Sequence, residues 1–141
     1  MKPEKLYLKD ETKIWIKYST ENFDSANILL KSKLFNPCLQ NVQQAVEKIL
    51  KSVFIENDLP LKRTHDILEL KNLLKVQNIK IDILDEDCDF LNTIYLPSKY
   101  PLGSVIPDYE PDNSICSKAI AIADKVTLSV SALLKKQHQK K

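Results

Sequence analysis

Apolar residues recur at helical spacing along nearly the whole chain. Trp15, Tyr18, Phe23, Ala26, Leu29 and Leu30 share one side at a 3.6-residue period, which predicts a first helix from about Glu11 to Leu34. Ser19 and Asn22 interrupt that apolar side. A second helix is predicted from Asn36-Pro37, an N-cap residue followed by a proline suited to the first helical position, to Ile55–Asp58, ahead of Pro60. Its apolar face carries Leu39, Val42, Val46, Ile49, Leu50 and Val53. Gln40, Gln44, Glu47, Lys48 and Lys51 fall on the opposite, polar face. Gln43 is the exception. It points into the apolar arc between Leu50 and Phe54, where an unpartnered amide costs ~1–3 kcal/mol.

The third helix is shorter. Ile67, Leu70, Leu73 and Leu74 form its stripe, with Thr64 or Asp66 as the cap. A fourth is predicted from near Asp82, carrying Ile83, Leu84, Cys88, Leu91 and Ile94. A long loop follows from Tyr95 to Pro111, with Pro97, Pro101, Pro107, Pro111 and the only glycine, Gly103. The fifth helix, about Asp112 to Lys136, has Ile115, Ala119, Ile122, Val126, Ser129 and Leu133 at alternating spacings of four and three, a seam suited to antiparallel packing. The polar Lys135–Lys141 end is expected to fray. The expectation is an all-α, up-and-down bundle of about five helices in one domain spanning 1–141. Its core is about 11–136, and 137–141 is a Lys-rich tail.

Length and composition fit a single ordinary domain: 141 residues, 43% hydrophobic and 28% charged. A net charge of +2 is too mild to argue for nucleic acid as a partner. Arg63 is the only arginine, so a DNA-reading surface built on bidentate guanidinium contacts is not expected. Cys38, Cys88 and Cys116 are scattered and show neither C-x-x-C nor zinc spacing, so reduced, buried thiols in a cytoplasmic protein are expected. The first ten residues lack an apolar signal region. No apolar run approaches the ~18 residues a membrane span needs. No cofactor or metal site is expected.

Few residues are candidates for chemistry. His65, after Lys62-Arg63-Thr64, would sit at a helix N-terminus, where anions are favoured. It reads either as a phosphate-binding or acid/base group or as a residue that packs the loop. Glu47, Lys48 and Lys51 read as a solvated helix face. The inward Gln43 and Asn22 point to a polar seam between the first two helices or to a subunit interface. Asp85, Glu86, Asp87 and Asp89 resemble the start of a calcium loop, but Phe90 stands where the glycine belongs and Leu96 where the bidentate glutamate belongs. Lys99-Tyr100-Pro101 sits in the stiff loop and could present a fixed cation or merely a solvated one. A lone glycine excludes phosphate-cradling glycine loops. With two histidines, of which His138 lies in the tail, no nucleophilic triad can be assembled.

Four strings, in order, resemble one family. They are Trp15-x3-Ser19-x2-Asn22-Phe23-x2-Ala26; Gln43-Gln44-Ala45-Val46-Glu47-Lys48 with Lys51; Thr64-His65-Asp66-Ile67 with Leu70; and Tyr95-Leu96-Pro97-Ser98-Lys99-Tyr100-Pro101. Together they are similar to the HEPN domain (higher eukaryotes and prokaryotes nucleotide-binding) over Trp15 to Leu134. The resemblance implies a small prokaryotic all-α protein that pairs as a homodimer. It also implies a place beside a minimal nucleotidyltransferase in a toxin–antitoxin-like system, with a nucleotide as ligand. Some members of the superfamily are metal-independent ribonucleases with an Arg-x4-6-His motif. That motif cannot be written here, because Arg63 lies two residues before His65. Lys99 stands where the family's loop has arginine, and Asn22 where its first helix commonly has aspartate. The expected anion site is Lys48, Lys51, Arg63, His65, Lys99 and Tyr100. No catalytic residue is assigned beyond His65 as a weak candidate. A ribonuclease acting across a dimer and a non-catalytic scaffold are the alternatives.

Overall fold

The computed structural model describes residues 7–99 and 110–139. Five helices follow in chain order: α1 Asp10–Lys31, α2 Phe35–Glu56, α3 Ile67–Val76, α4 Asp85–Lys99 and α5 Asn113–Gln139. No strand occurs among the described residues. The all-α expectation holds. α2 is the central rod and packs against each of the other four helices, while α1 also touches α5 and α3 touches α4. Leu39, Val42, Val46, Leu50, Val53, Ile67, Leu70, Leu74, Leu91, Val126 and Val130 lie fully or almost fully buried in one continuous core.

Three helices end without glycine. Lys33, Asp58 and Asn78 adopt left-handed φ of 58, 56 and 60°. In each case the next residue's amide reaches back to close the helix: Leu34 to Leu29 O, Leu59 to Phe54 O, and Ile79 to Leu74 O.

The helix bounds depart from the sequence reading in four places. α2 begins at Phe35 with no side-chain cap, so Asn36 is not its N-cap. Pro37 sits in the first turn, where its missing N–H would have had no helical acceptor in any case. α4 begins at Asp85, not Asp82. Before it, Ile79, Ile81 and Ile83 are buried while Lys80, Asp82 and Leu84 are exposed. That is the alternation of an extended segment, pinned where the Asp82 amide donates to Ser129 Oγ (2.9 Å). α4 also runs through Tyr95–Lys99, which the sequence reading placed in the loop. Proline at 97 cannot donate to the carbonyl at 93. The end of α4 is held instead by Gln40 Nε2 donating to Ser98 O (2.6 Å) and Ser98 Oγ donating to Tyr95 O (2.6 Å). The rest of the predicted loop lies outside the described residues up to 109.

The fourth difference is at the C-terminus. α5 does not fray at Lys135; it continues to Gln139. Gln137 donates to Asn57 Oδ1 (3.1 Å), and His138 Nε2 meets Glu56 Oε2 (3.2 Å). Glu56 also accepts from the Lys9 amide (3.0 Å) and Thr12 Oγ1 (2.8 Å), so one carboxylate ties together the start of α1 and the ends of α2 and α5. Lys9 Nζ pairs with Asp58 beside it.

Candidate functional site

The polar residues of α1 and α2 divide into two groups. Toward α1, the buried Ser19 donates to Ala45 O (2.7 Å), and Asn22 Nδ2 donates to Asn41 Oδ1 (2.9 Å). Lys48 belongs to this seam. Its Nζ donates to Asn22 Oδ1 (2.8 Å) and lies 5.8 Å from the centroid of the Tyr18 ring. Asn22 thus joins a polar seam between the first two helices, as expected, but Gln43, expected in the same seam, does not.

The second group starts from Gln43. Its amide is fully buried, as its inward position predicts, and its partners come from this same chain. Gln43 Nε2 donates to His65 O (2.9 Å) and, at 3.4 Å, to Glu47 Oε1. Gln44 Nε2 donates to Gln43 Oε1 (3.3 Å). Glu47 and Lys51 are not solvated, contrary to the reading of that face from the helical wheel. They are 5% and 7% exposed and pair at 3.0 Å, Lys51 Nζ to Glu47 Oε2. The other carboxylate oxygen, Oε1, lies 2.6 Å from His65 Nδ1.

His65 reaches Glu47 from the loop between α2 and α3, and that loop is fixed on several sides. Asp66 caps α3 by accepting from the Glu69 amide (3.1 Å) and from Asn92 Nδ2 (2.8 Å). Thr64 Oγ1 accepts from the Asp66 amide (3.1 Å) and donates to Glu69 Oε2 (3.0 Å). Asn92 Oδ1 accepts from the Ile67 amide (3.0 Å). These bonds occupy amides at the α3 N-terminus and surround it with carboxylates, so it is not the anion site that the position of His65 suggested. The loop carbonyl at His65 is held by Gln43, and the ring stands 5.8 Å from the Tyr95 ring, tilted by 43°. Tyr95 in turn bonds Gln44 through its hydroxyl (3.2 Å).

The local chemistry follows from these contacts. An ionised carboxylate only accepts, so His65 Nδ1 carries the hydrogen and Nε2 is left outward. Nε2 has no partner among the described residues, and the side chain is 65% exposed. Glu47 orients the imidazole and Lys51 neutralises Glu47. The result is an exposed imidazole on a buried, charge-balanced base.

The structure brings His65 and Lys51 together through Glu47. It does not bring Lys48 to them, since Lys48 faces α1. Arg63 and Lys62 are exposed in the His65 loop, with no ion pair among the described residues. The Lys99 side chain and Tyr100 lie outside the described residues. The backbone of Lys99 lies at the end of α4, one turn beyond Tyr95. Gln43, Gln44, Glu47 and Tyr95 were not among the expected site residues. The signal for Glu47 was present: Gln43, Glu47 and Lys51 form one i, i+4, i+8 column beginning with a side chain already placed inward. No group of three or more His, Cys, Asp or Glu suited to a metal occurs among the described residues. No helix among them is long and apolar enough to cross a membrane.

A family model, the HEPN domain, matches residues 12–133. No curated protein matches the chain in sequence. Among solved structures, TT1696 from Thermus thermophilus superposes with a TM-score of 0.72 at 20% identity, covering 88% of this chain and 98% of that one. ST0689, an archaeal HEPN homologue, gives 0.64 at 16% identity over 87% of this chain and 97% of that one. A HEPN domain protein from Thermotoga maritima gives 0.64 at 18% identity over 86% and 97%. These likenesses establish the fold, and the match over 12–133 establishes the family: the chain belongs to the HEPN domain family.

Proposed function

We propose that this chain is a regulatory binding module that takes a phosphate-bearing nucleotide at His65. In this reading it works as a homodimer, beside a minimal nucleotidyltransferase in a toxin–antitoxin-like pair. One observation carries the ligand part. An exposed imidazole is fastened through Nδ1 to a buried carboxylate at 2.6 Å, and that carboxylate is already neutralised by Lys51 at 3.0 Å. A histidine held this way offers one directed polar atom to a ligand and loses little side-chain freedom on binding. Arg63 and Lys62 supply exposed positive charge in the same loop. The homodimer and the partner rest on family membership. A thermal-shift titration with ATP, GTP and AMP tests the ligand, because a nucleotide at ~100 times its Kd adds ~2.7 kcal/mol of stability. No movement of the midpoint at millimolar nucleotide overturns the reading.

A second reading, a metal-independent ribonuclease acting across a dimer, is favoured by the same Glu47–His65 contact, since a proton-moving histidine needs such an orienting carboxylate. It is the weaker reading. A nuclease of that kind also needs a fixed cation at the scissile phosphate, and Arg63 lies only two residues before His65, too close for the family's Arg-x4-6-His spacing. Wild type and His65→Ala incubated with total RNA in chelator decide it: cleavage by wild type alone favours the nuclease, and equal behaviour of the two removes it.

A further inference from the structure

We propose that the His65 site is a proton-gated oxyanion subsite, binding the phosphate of its ligand only together with a proton on His65 Nε2. This rests on the nucleotide-binding reading and adds its regulation. Glu47 and Lys51 cancel in charge through a 3.0 Å ion pair in which both side chains are more than nine-tenths buried. With His65 neutral, the cluster is therefore uncharged. Its outward atom, Nε2, is then a lone pair, because Nδ1 spends the one ring hydrogen on Glu47 Oε1. A lone pair repels phosphate oxygens.

A proton taken from solvent onto Nε2 changes both properties at once. The cluster gains one positive charge, and the outward atom becomes a donor. No other contact has to move, since Nδ1 keeps its bond to Glu47 in both states and the His65 carbonyl stays on Gln43.

Among the described residues, the other groups around the ring do not replace this switch. From α2, Gln43 is neutral and Glu47 is already balanced by Lys51. From α4, the Tyr95 ring lies 5.8 Å away with its hydroxyl on Gln44. On the His65 side, Asp66 accepts from the Glu69 amide and Asn92, and Glu69 accepts from Thr64; these neutral donors leave both carboxylates their charge, which opposes an oxyanion and makes the added positive charge on His65 the more necessary. Lysine and arginine side chains do not as a class change charge in the range in which imidazole titrates.

The test uses sulfate, whose charge is constant across the imidazole range, and AMP, which adds the nucleoside. Dissociation constants are measured by calorimetry from about pH 5.5 to about pH 8.5, spanning the histidine range. Both are expected to rise about tenfold per pH unit above the His65 midpoint, sulfate more simply because the AMP phosphate titrates near ~6 itself. Histidine ring resonances, assigned with His138→Gln because the chain has two histidines, follow the midpoint directly. The His65 midpoint is expected to rise in saturating sulfate. His65→Gln, a change at an exposed position, is expected to bind weakly and without pH dependence. Binding of sulfate or AMP that ignores pH, or a His65 midpoint unmoved by saturating ligand, overturns the proton gate alone. An absence of binding by either ligand at every pH overturns the gate and the nucleotide reading together.

Discussion

Glu47 and Lys51, one helical turn apart on α2, form a 3.0 Å ion pair whose side chains are 6% and 8% exposed. A buried pair of this kind adds little net stability, yet losing one member leaves an uncompensated charge. Lys51→Met is therefore expected to lower the unfolding free energy by about 3 kcal/mol in urea titrations. Lys51→Met with Glu47→Leu should recover most of that loss. A single variant as stable as wild type would show that Glu47 is not held as an ion.

The rods of this bundle were legible because their apolar residues keep a 3.6 period. The inward turn of Gln43 was legible for the same reason. The burial of Glu47 and Lys51 was not. A helical wheel reports which residues share a side, but not which sides are covered. α2 is covered on every side where α1, α3, α4 and α5 pack, so its nominally polar face is partly interior. The loop was placed from Tyr95 onward because local pattern cannot register a side chain from α2, Gln40, holding a carbonyl of α4 fifty-eight positions away. The anchoring of His138 by Glu56 was hidden in the same way, by a separation of eighty-two. The Lys99–Tyr100 part of the expected site lies outside the described side chains.

The loop that carries His65 depends on the cap of α3. Asp66→Ala removes the acceptor of the Glu69 amide and of Asn92 Nδ2. A loss of about 1–2 kcal/mol is expected from denaturant midpoints, at the upper end for a cap because two donors are orphaned. Asp66→Asn, which keeps an oxygen for the amide, should lose less. Equal losses for the two variants would contradict the cap.

Acid should loosen the junction of α1, α2 and α5. Burial pushes the Glu56 carboxyl up, but the Lys9 amide, the Thr12 hydroxyl and His138 outweigh it and hold the group below its ordinary value of 4.5. The folded form thus binds this proton less readily than the unfolded form. Its contribution to stability is present above about pH 4.5 and is lost as pH falls through the lower folded value. Urea midpoints measured against pH should fall in this acid range for wild type, and less steeply for Glu56→Gln. Identical slopes would remove Glu56 as a source of acid sensitivity.

The three cysteines are fully buried, and burial raises each thiol. Cys88 is pushed up to about 11, Cys116 to about 12, and Cys38 above its ordinary value. Thiolate is the reactive form. A colorimetric disulfide reagent at mildly alkaline pH should therefore find no fast thiol in the native protein and three after unfolding. A fast native thiol would place at least one cysteine at the surface.

The central claim is that the ligand site is the Glu47–His65–Lys51 cluster beside Tyr95. The most direct test is an amide chemical-shift map of the isotope-labelled protein titrated with AMP. The largest changes are expected at Glu47, Lys51, the residues on either side of His65, and Tyr95, and they should vanish in His65→Ala. A separate cleft is lined by Lys75, Ile81 and Ser129, between α5 and the extended segment before α4; changes centred there, or a map that His65→Ala leaves intact, would contradict it.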